Sequence, residues 1–332
     1  YPVYRQLREN SPILELPDAN MVIFSRYQDI QQVLRSRTMG HKDDSMHTPE
    51  ELAEMNANTA IRNLRETMLL KNPPDHTRLR SLVVKAFDAR RVEAMRERIR
   101  RIAHDLIDAF IDSGSGDLVS LFTHPLPVIV ICDMLGIPES DQEEFVRGTR
   151  ISGRLIDPSP MTQEELADAN RSSEESGAYF TALCDERRAH PQDDLITALV
   201  NSETEHGQLS REELTSNIGL LFAAGHETTV NLMGNALIAL YRNRDQLEAL
   251  KADPTLMTGA AEEFLRYDSS VQLTGREAME DQEICGIRLP KGRSVLALLG
   301  AGNRDPEAFD NPEALDITRE RSKVLSFGGG IH

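Results

Sequence analysis

Cysteine is scarce in this chain. There are three, Cys132, Cys184 and Cys285, and no CxxC pair. That argues against a disulfide framework or a cysteine-rich zinc site and fits a reducing, cytoplasmic setting. Long hydrophobic runs are missing too. LPVIVI is typical of the apolar stretches, whereas a helix crossing a bilayer needs about 20 such residues. Positive charge is in deficit: 37 lysines and arginines face 54 aspartates and glutamates, for a net charge of −17. Neither nucleic acid nor an anionic membrane is the expected partner. Against that background RLRSLVVKAFDARRVEAMRERIRR (78–101) is a local basic concentration suited to an acidic protein. No secretory signal is visible, and since the first residue is Tyr1, the native N-terminus is expected upstream.

Several catalytic signatures also fail. His226-Glu227 is followed by Val230 where a zinc HExxH needs its second histidine. GAGNRD offers Asp305 in place of the third glycine of a dinucleotide fingerprint, and FGGGIH has no GK[ST] for a phosphate loop. There is no GxSxG, and no cysteine has an adjacent histidine.

What is present is a globular pattern, 39% hydrophobic and 27% charged over 332 residues, long enough for a substantial core. ILELP and MVIFS around PDAN read as two strands, and YQDIQQVLRS as a helix. Residues 38–60 are polar, methionine-rich and without clear period, which predicts a mobile loop region. HTRLRSLVVKAF follows the breaker NPPD, with Asp75 as expected cap. In the next segment Val92, Met95, Ile99, Ile102, Leu106 and Phe110 recur at helical spacing. LVSLFTHPLPVIVICDMLGIP predicts a buried helix interrupted by Pro125 and Pro127. After RYDSS come short strand-like pieces, QLTGREAM, EICGIRLP and SVLALLG. The reading is one domain over 1–332, mainly α with a smaller β portion.

The segment LLFAAGHETTVNLMGNALIAL is the most apolar long helix, and its SREE start is a capping-box signal. Leu214, Ile218, Leu221, Gly225, Thr228 and Leu232 form one stripe. Gly225 costs about 1 kcal/mol relative to alanine there, and a buried Glu227 would pay desolvation. A Thr228 hydroxyl can take the carbonyl of Ala224 and bend the helix. Two readings stay open on these residues: a small-residue crossing with another helix, or a dent with an acid and an alcohol beside it. Glu263 and Arg266 of EEFLRY share a helix face, and most such pairs are surface ion pairs of little value.

The order of the signals says more than any one of them. NPPDHTRLR, AGHETT, EEFLRY, TGREA, NRDP and FGGGIH follow one another at intervals that resemble the haem-thiolate mono-oxygenases, the cytochrome P-450 family, in its soluble bacterial form. The resemblance covers almost the whole chain. It implies that fold and haem b, with Ala224 and Gly225 beside the cofactor. Glu227 and Thr228 match the acid and alcohol that deliver protons for O–O cleavage. It further implies haem-carboxylate contacts from His76, Arg80, Arg276 and His332, with Phe327 in the cofactor-binding turn. Leu220, Ala223, Val271 and Leu273 would touch substrate, and access would pass the regions 38–70 and 150–162. Glu263, Arg266 and Arg319 would form a structural ion network. The expected activity inserts one atom of O2 into a small, largely apolar organic molecule, with electrons from a ferredoxin or similar carrier docking near 78–101. The ligand cysteine is expected just beyond His332, so the chain reads as truncated before that loop. The alternative is a degenerate haem-binding or interaction protein without the thiolate. The substrate is not encoded in any motif.

Overall fold

The computed structural model describes residues 1–87, 89–148, 155, 161–204, 207–320 and 323–332. The chain opens with α1 (Pro2–Asn10), β1 (Ile13–Leu16), β2 (Met21–Phe24), α2 (Tyr27–Arg35) and β3 (Met39–Gly40). Then follow α3 (Pro49–Ala57), α4 (Thr59–Arg65), α5 (Asp75–Ala86), α6 (Ala89–Ala94), α7 (Arg96–Ile111), α8 (Pro125–Leu135), α9 (Glu139–Gly148), α10 (Gln163–Ala189) and α11 (Leu195–Val200). After the short ribbon β4 (Glu203–Thr204) and β5 (Gly207–Gln208) comes α12 (Arg211–Arg242), then α13 (Arg244–Ala252) and α14 (Met257–Tyr267). β6 (Thr274–Ala278), β7 (Gln282–Ile284), β8 (Ile287–Leu289), β9 (Ser294–Ala297) and α15 (Leu299–Gly302) complete the regular elements. The fold is mainly α with a smaller β portion.

These elements fall into two compact units, Tyr1–Lys42 with Asn231–His332, and Asp43–Val230. The first holds a sheet of order β1-β2-β9-β6-β3. β1 and β2 are antiparallel, joined by a turn in which Asn20 takes φ 50°, and β2 pairs parallel with β9, Val22 against Val295 and Phe24 against Ala297. Alternation buries Val22, Phe24, Val295 and Ala297, which pack with Ile30, Val33 and Leu34 of α2. A second cluster in this unit gathers Ala239, Leu240, Leu250, Ala260 and Phe264 with Leu315 and Ile317.

The other unit has one core, built from Val83 of α5, Val128, Ile131 and Leu135 of α8, Phe180 and Leu183 of α10, Ile196 and Leu199 of α11, and Leu214, Ile218 and Phe222 of α12.

Four sequence expectations need correction. Region 38–60 is not a loop: it contains β3, α3 and part of α4. The start of α3 is a complete capping box, Thr48 Oγ1 accepting the Glu51 N–H at 3.1 Å and Glu51 Oε2 the Thr48 N–H at 2.9 Å. No α3 residue is buried, so no hydrophobic period betrayed it. Pro125 and Pro127 do not interrupt a helix; they lie in the first turn of α8, where a missing N–H costs nothing. A π-turn, Val119–Thr123, precedes it. Asp75 is not the cap of α5, which begins after Pro74; it sits in the first turn, where the helix dipole favours an acid. The periodic segment from Val92 to Phe110 is two helices, α6 and α7, and Val92 itself is exposed. Most of the 150–162 region lies outside the described residues.

Candidate functional site

The long helix α12 begins as its sequence dictates. Ser210 Oγ accepts the Glu213 N–H at 3.1 Å, and Glu213 Oε2 accepts the Ser210 N–H at 2.9 Å. Glu213 also pairs with Arg78 of α5, whose Nη1 donates at 3.2 Å. Burial pushes the Glu213 carboxyl up, but the Arg78 and Ser210 bonds outweigh it and hold it below the ordinary glutamate value.

Around AGHETT the two readings divide between neighbouring residues. A Cβ on Gly225 would meet Ile131 Cδ1 of α8 at 3.1 Å, so that glycine is a helix-crossing residue and its space is already filled. The open small residue is Ala224, which is exposed. Thr228 Oγ1 donates to the Ala224 carbonyl at 2.9 Å, and Thr229 Oγ1 to that of Gly225 at 3.2 Å. His226 turns the other way. It is buried, its Nδ1 donates to the Phe222 carbonyl at 2.9 Å, and its ring lies 5.3 Å from that of Phe222. Glu227 is half-buried, as are Leu220 and Ala223. In the same unit His76 is buried and Arg80 exposed, four residues apart on α5.

The other candidates belong to the sheet-bearing unit. Arg276 on β6 is buried, and Nη1 donates to Thr274 Oγ1 at 3.0 Å and to the Gly275 carbonyl at 2.7 Å. No carboxylate pairs with it among the described residues, and burial holds its pKa below the ordinary arginine value. Uncompensated burial of a cation is costly, so the side chain is poised for an anion. Val271 and Leu273, just before β6, are half-buried, and Val271 packs on the sheet core. The glycine-rich turn ends with His332, whose ring stands edge-on to His41 at 4.6 Å. Gly330 has φ 81°, and a Cβ there would come within 1.9 Å of the Leu34 carbonyl oxygen; only glycine fits. Phe327, in the same turn, is exposed.

Glu263, Arg266 and Arg319 form a buried network. Arg266 is fully buried and donates Nε to Glu263 Oε2 at 2.7 Å and Nη2 to Oε1 at 2.8 Å. It also serves the carbonyls of Asn303 (3.0 Å), Pro312 (2.7 Å) and Ala314 (2.9 Å). Arg319 Nε adds a bond to Glu263 Oε2 at 3.1 Å, and the Asp316 N–H one to Oε1 at 2.9 Å.

The three cysteines are not ready thiolates. Burial pushes the Cys132 and Cys285 thiols up to about 12 and Cys184 up to about 11. No cluster of metal-ligating side chains is found among the described residues. None of their helices is long and apolar enough to cross a membrane.

Sequence reasoning missed Asn217, a fully buried amide on α12 that accepts the Met68 N–H at 3.0 Å. Its signal was a lone asparagine between Leu214 and Leu221. It also missed Asn303 of NRDP, fully buried, which bonds Ser326 Oγ at 2.9 Å and the Leu325 N–H at 2.7 Å.

An open alanine beside a threonine, with an acid next in sequence, suits a flat apolar ligand and its proton supply, and the buried Arg276 suits a carboxylate. Both fit a haem. The sequence profile described as Cytochrome P450 matches residues 5–323. A putative cytochrome P450 133B1 of Xylella fastidiosa is 42% identical over 335 residues, covering 100% of this chain and 82% of that protein. A vitamin D(3) 25-hydroxylase of Pseudonocardia autotrophica is 38% identical, over 100% of this chain and 80% of its own length. The crystal structure of P450BioI with a hexadec-9Z-enoic acid-ligated acyl carrier protein superposes with a TM-score of 0.91 at 34% identity, over 99% of this chain and 84% of that one.

Proposed function

The chain belongs to the cytochrome P450 family and is a haem-dependent mono-oxygenase; we propose that it oxidises a small, largely apolar organic substrate with electrons from a ferredoxin-type carrier. Haem b, when bound, supplies dioxygen activation and the oxidation itself. The residues of this chain supply anchoring, an apolar surface and protons.

The observation that carries this reading is the bond from Thr228 Oγ1 to the carbonyl of the exposed Ala224, 2.9 Å long. With its own proton committed to that carbonyl, the hydroxyl oxygen keeps lone pairs for a water or another donor on the open side. Glu227, next in sequence and half-buried, exchanges protons with solvent and passes them toward Thr228. Arg276, His332, His76 and Arg80 hold the haem carboxylates by charge-assisted bonds. Gly225 contributes by letting α8 approach, and Ala224 by leaving room. Leu220, Ala223, Val271 and Leu273 contact substrate, Phe327 belongs to the cofactor-binding turn, and Glu263, Arg266 and Arg319 brace the chain without touching the chemistry. The relative named as a vitamin D(3) 25-hydroxylase supports hydroxylation as the reaction type.

The basic stretch 78–101 is less open to a carrier than its composition implies. Arg78 is held by Glu213, Arg91 by Asp193 at 2.9 Å, Arg96 by Glu93 at 2.6 Å, Arg98 by Asp133 at 2.7 Å and Arg100 by Glu97 at 2.7 Å. The docking surface we favour is the outward face of α5, where Thr77, Val84 and Lys85 are exposed.

Thr228→Ala tests the proton role. In the haem-loaded enzyme the variant keeps consuming NAD(P)H while product per NAD(P)H falls several-fold. Fully coupled turnover in Thr228→Ala overturns the assignment.

A further inference from the structure

Asn217 is completely buried in α12. A primary amide in such a place must find its partners inside the protein. Here they are backbone groups. Nδ2 donates to the Glu213 carbonyl at 2.7 Å and reaches that of Glu66 at 3.5 Å, while Oδ1 accepts the Met68 N–H at 3.0 Å. A leucine would fill the volume, but it could not serve the Met68 peptide.

The turn held in this way follows α4 and is internally tight. Thr67 is buried and its Oγ1 donates to the Leu64 carbonyl at 2.6 Å. The N–H groups of Leu70 and Lys71 both reach the Thr67 carbonyl at 3.3 Å, and Lys71 Nζ pairs with Glu66 at 3.0 Å. Met68 packs against the core of its unit, while Leu69 remains exposed.

Helical geometry fixes where the turn is fastened. At 100° per residue Asn217, Leu221, Ala224 and Thr228 fall within roughly 60° of one another, and Asn217 precedes Ala224 by about 10 Å along the axis. The turn is therefore tied to the side of α12 that bears the open alanine and the threonine.

We propose that Asn217 is a positioning residue that fastens the 66–71 turn to α12, making it a fixed end wall that limits how far a ligand seated at Ala224 extends along the helix. The inference rests on the mono-oxygenase reading above. Asn217 touches neither substrate nor cofactor; it acts through the turn.

The test uses the haem-loaded enzyme and a series of N-alkylimidazoles from methyl to dodecyl, with Kd read from the shift of the Soret band, and amide hydrogen exchange at Met68. In the wild type, affinity rises with chain length and then breaks when the tail meets the turn. In Asn217→Ala the break moves to longer chains, N-methylimidazole binds within about twofold of wild type, and the Met68 amide exchanges about tenfold faster, as loss of one buried hydrogen bond predicts. Leu69→Ala, a change at an exposed position that leaves the anchor intact, also moves the break, without faster exchange at Met68. An unchanged chain-length profile in both variants, or an unchanged Met68 amide in Asn217→Ala, overturns the proposal. Failure of N-methylimidazole to shift the Soret band overturns the mono-oxygenase reading instead, and the exchange measurement then decides the anchoring by itself.

Discussion

Replacing Glu263 by glutamine tests whether the buried network is a cooperative ionic brace. The change preserves shape and removes one charge. Arg266 then keeps its three carbonyl partners but loses a bidentate carboxylate, whose bonds are 2.7 and 2.8 Å. The new amide also presents N–H groups to either Arg266 Nη2 or Arg319 Nε, which are themselves donors. Breaking one partner out of a buried ion pair costs about 3–5 kcal/mol. Arg319→Gln is milder, about 1–3 kcal/mol, because Glu263 retains Arg266 and Arg319 keeps only one bond to the pair. Arg266→Met is the most severe, since the carbonyls of Asn303, Pro312 and Ala314 lose their donor as well. For the same reason the double replacement of Glu263 and Arg266 by apolar residues does not restore stability here, unlike many isolated buried pairs. Urea unfolding at neutral pH, followed by circular dichroism, measures the order through the midpoints, with m unchanged. A Glu263→Gln variant within about 1 kcal/mol of wild type, or a fully stable double variant, refutes the reasoning.

Lys85→Glu slows reduction by an acidic ferredoxin at low ionic strength, and the gap from wild type closes as salt rises; a salt-insensitive, wild-type rate removes the docking face from α5. Gly330→Ala misfolds the glycine turn, because the new Cβ meets the Leu34 carbonyl at 1.9 Å in a left-handed backbone; unchanged amide exchange in α2 contradicts it. Glu213 titrates below its ordinary value, so its contribution is present above the unfolded glutamate pKa and is lost as pH falls through the lower folded one. Arg78→Ala therefore destabilises most at neutral pH and least in strong acid; a pH-independent difference in urea midpoint rules this out.

The sequence was most legible where chemistry is local. The Ser210–Glu213 cap, the Thr228 back-bond and the strands around PDAN all depend on residues within a few positions of each other, and spacing alone describes them. Helices without a buried face were harder. α3 has a full cap, Thr48 with Glu51, but no buried residue, and in the absence of a period its polar sequence reads as loop. The prolines of α8 misled for a related reason: their meaning depends on whether they stand in a first turn or an interior. Long-range partners were the least visible. Nothing in EEFLRY says that Arg266 will serve carbonyls at Asn303, Pro312 and Ala314, and nothing in the basic run says that Arg91 will meet Asp193 and Arg98 Asp133.

The small residues of AGHETT show why motif and geometry must be separated. Glycine is the obvious seat for a flat ligand, yet its space belongs to Ile131, an α8 residue 94 positions earlier in the chain. The open position is the alanine before it. On this helix four polar side chains share one pattern. Asn217, His226, Thr228 and Thr229 each donate to the carbonyl four residues back, those of Glu213, Phe222, Ala224 and Gly225. Three of those four carbonyls, those of Phe222, Ala224 and Gly225, lie close together and each takes a second donor, which locally weakens the ladder. The two threonine hydroxyls find their acceptors within the helix, and Asn217 adds the Met68 N–H from the turn beyond α4, so α12 can carry these groups at little desolvation cost. Because the Thr228 proton is held within the helix, its oxygen faces the open side as an acceptor, and a valine there would keep the shape while deleting that acceptor. Thr228→Val therefore separates the hydroxyl from the helix: stability stays close to wild type, since the Ala224 carbonyl keeps its ladder bond, while product per NAD(P)H falls as in Thr228→Ala. Serine, which keeps the hydroxyl and the back-bond, restores most of the coupling. If valine couples as well as serine, Thr228 is a packing residue and the proton path runs elsewhere.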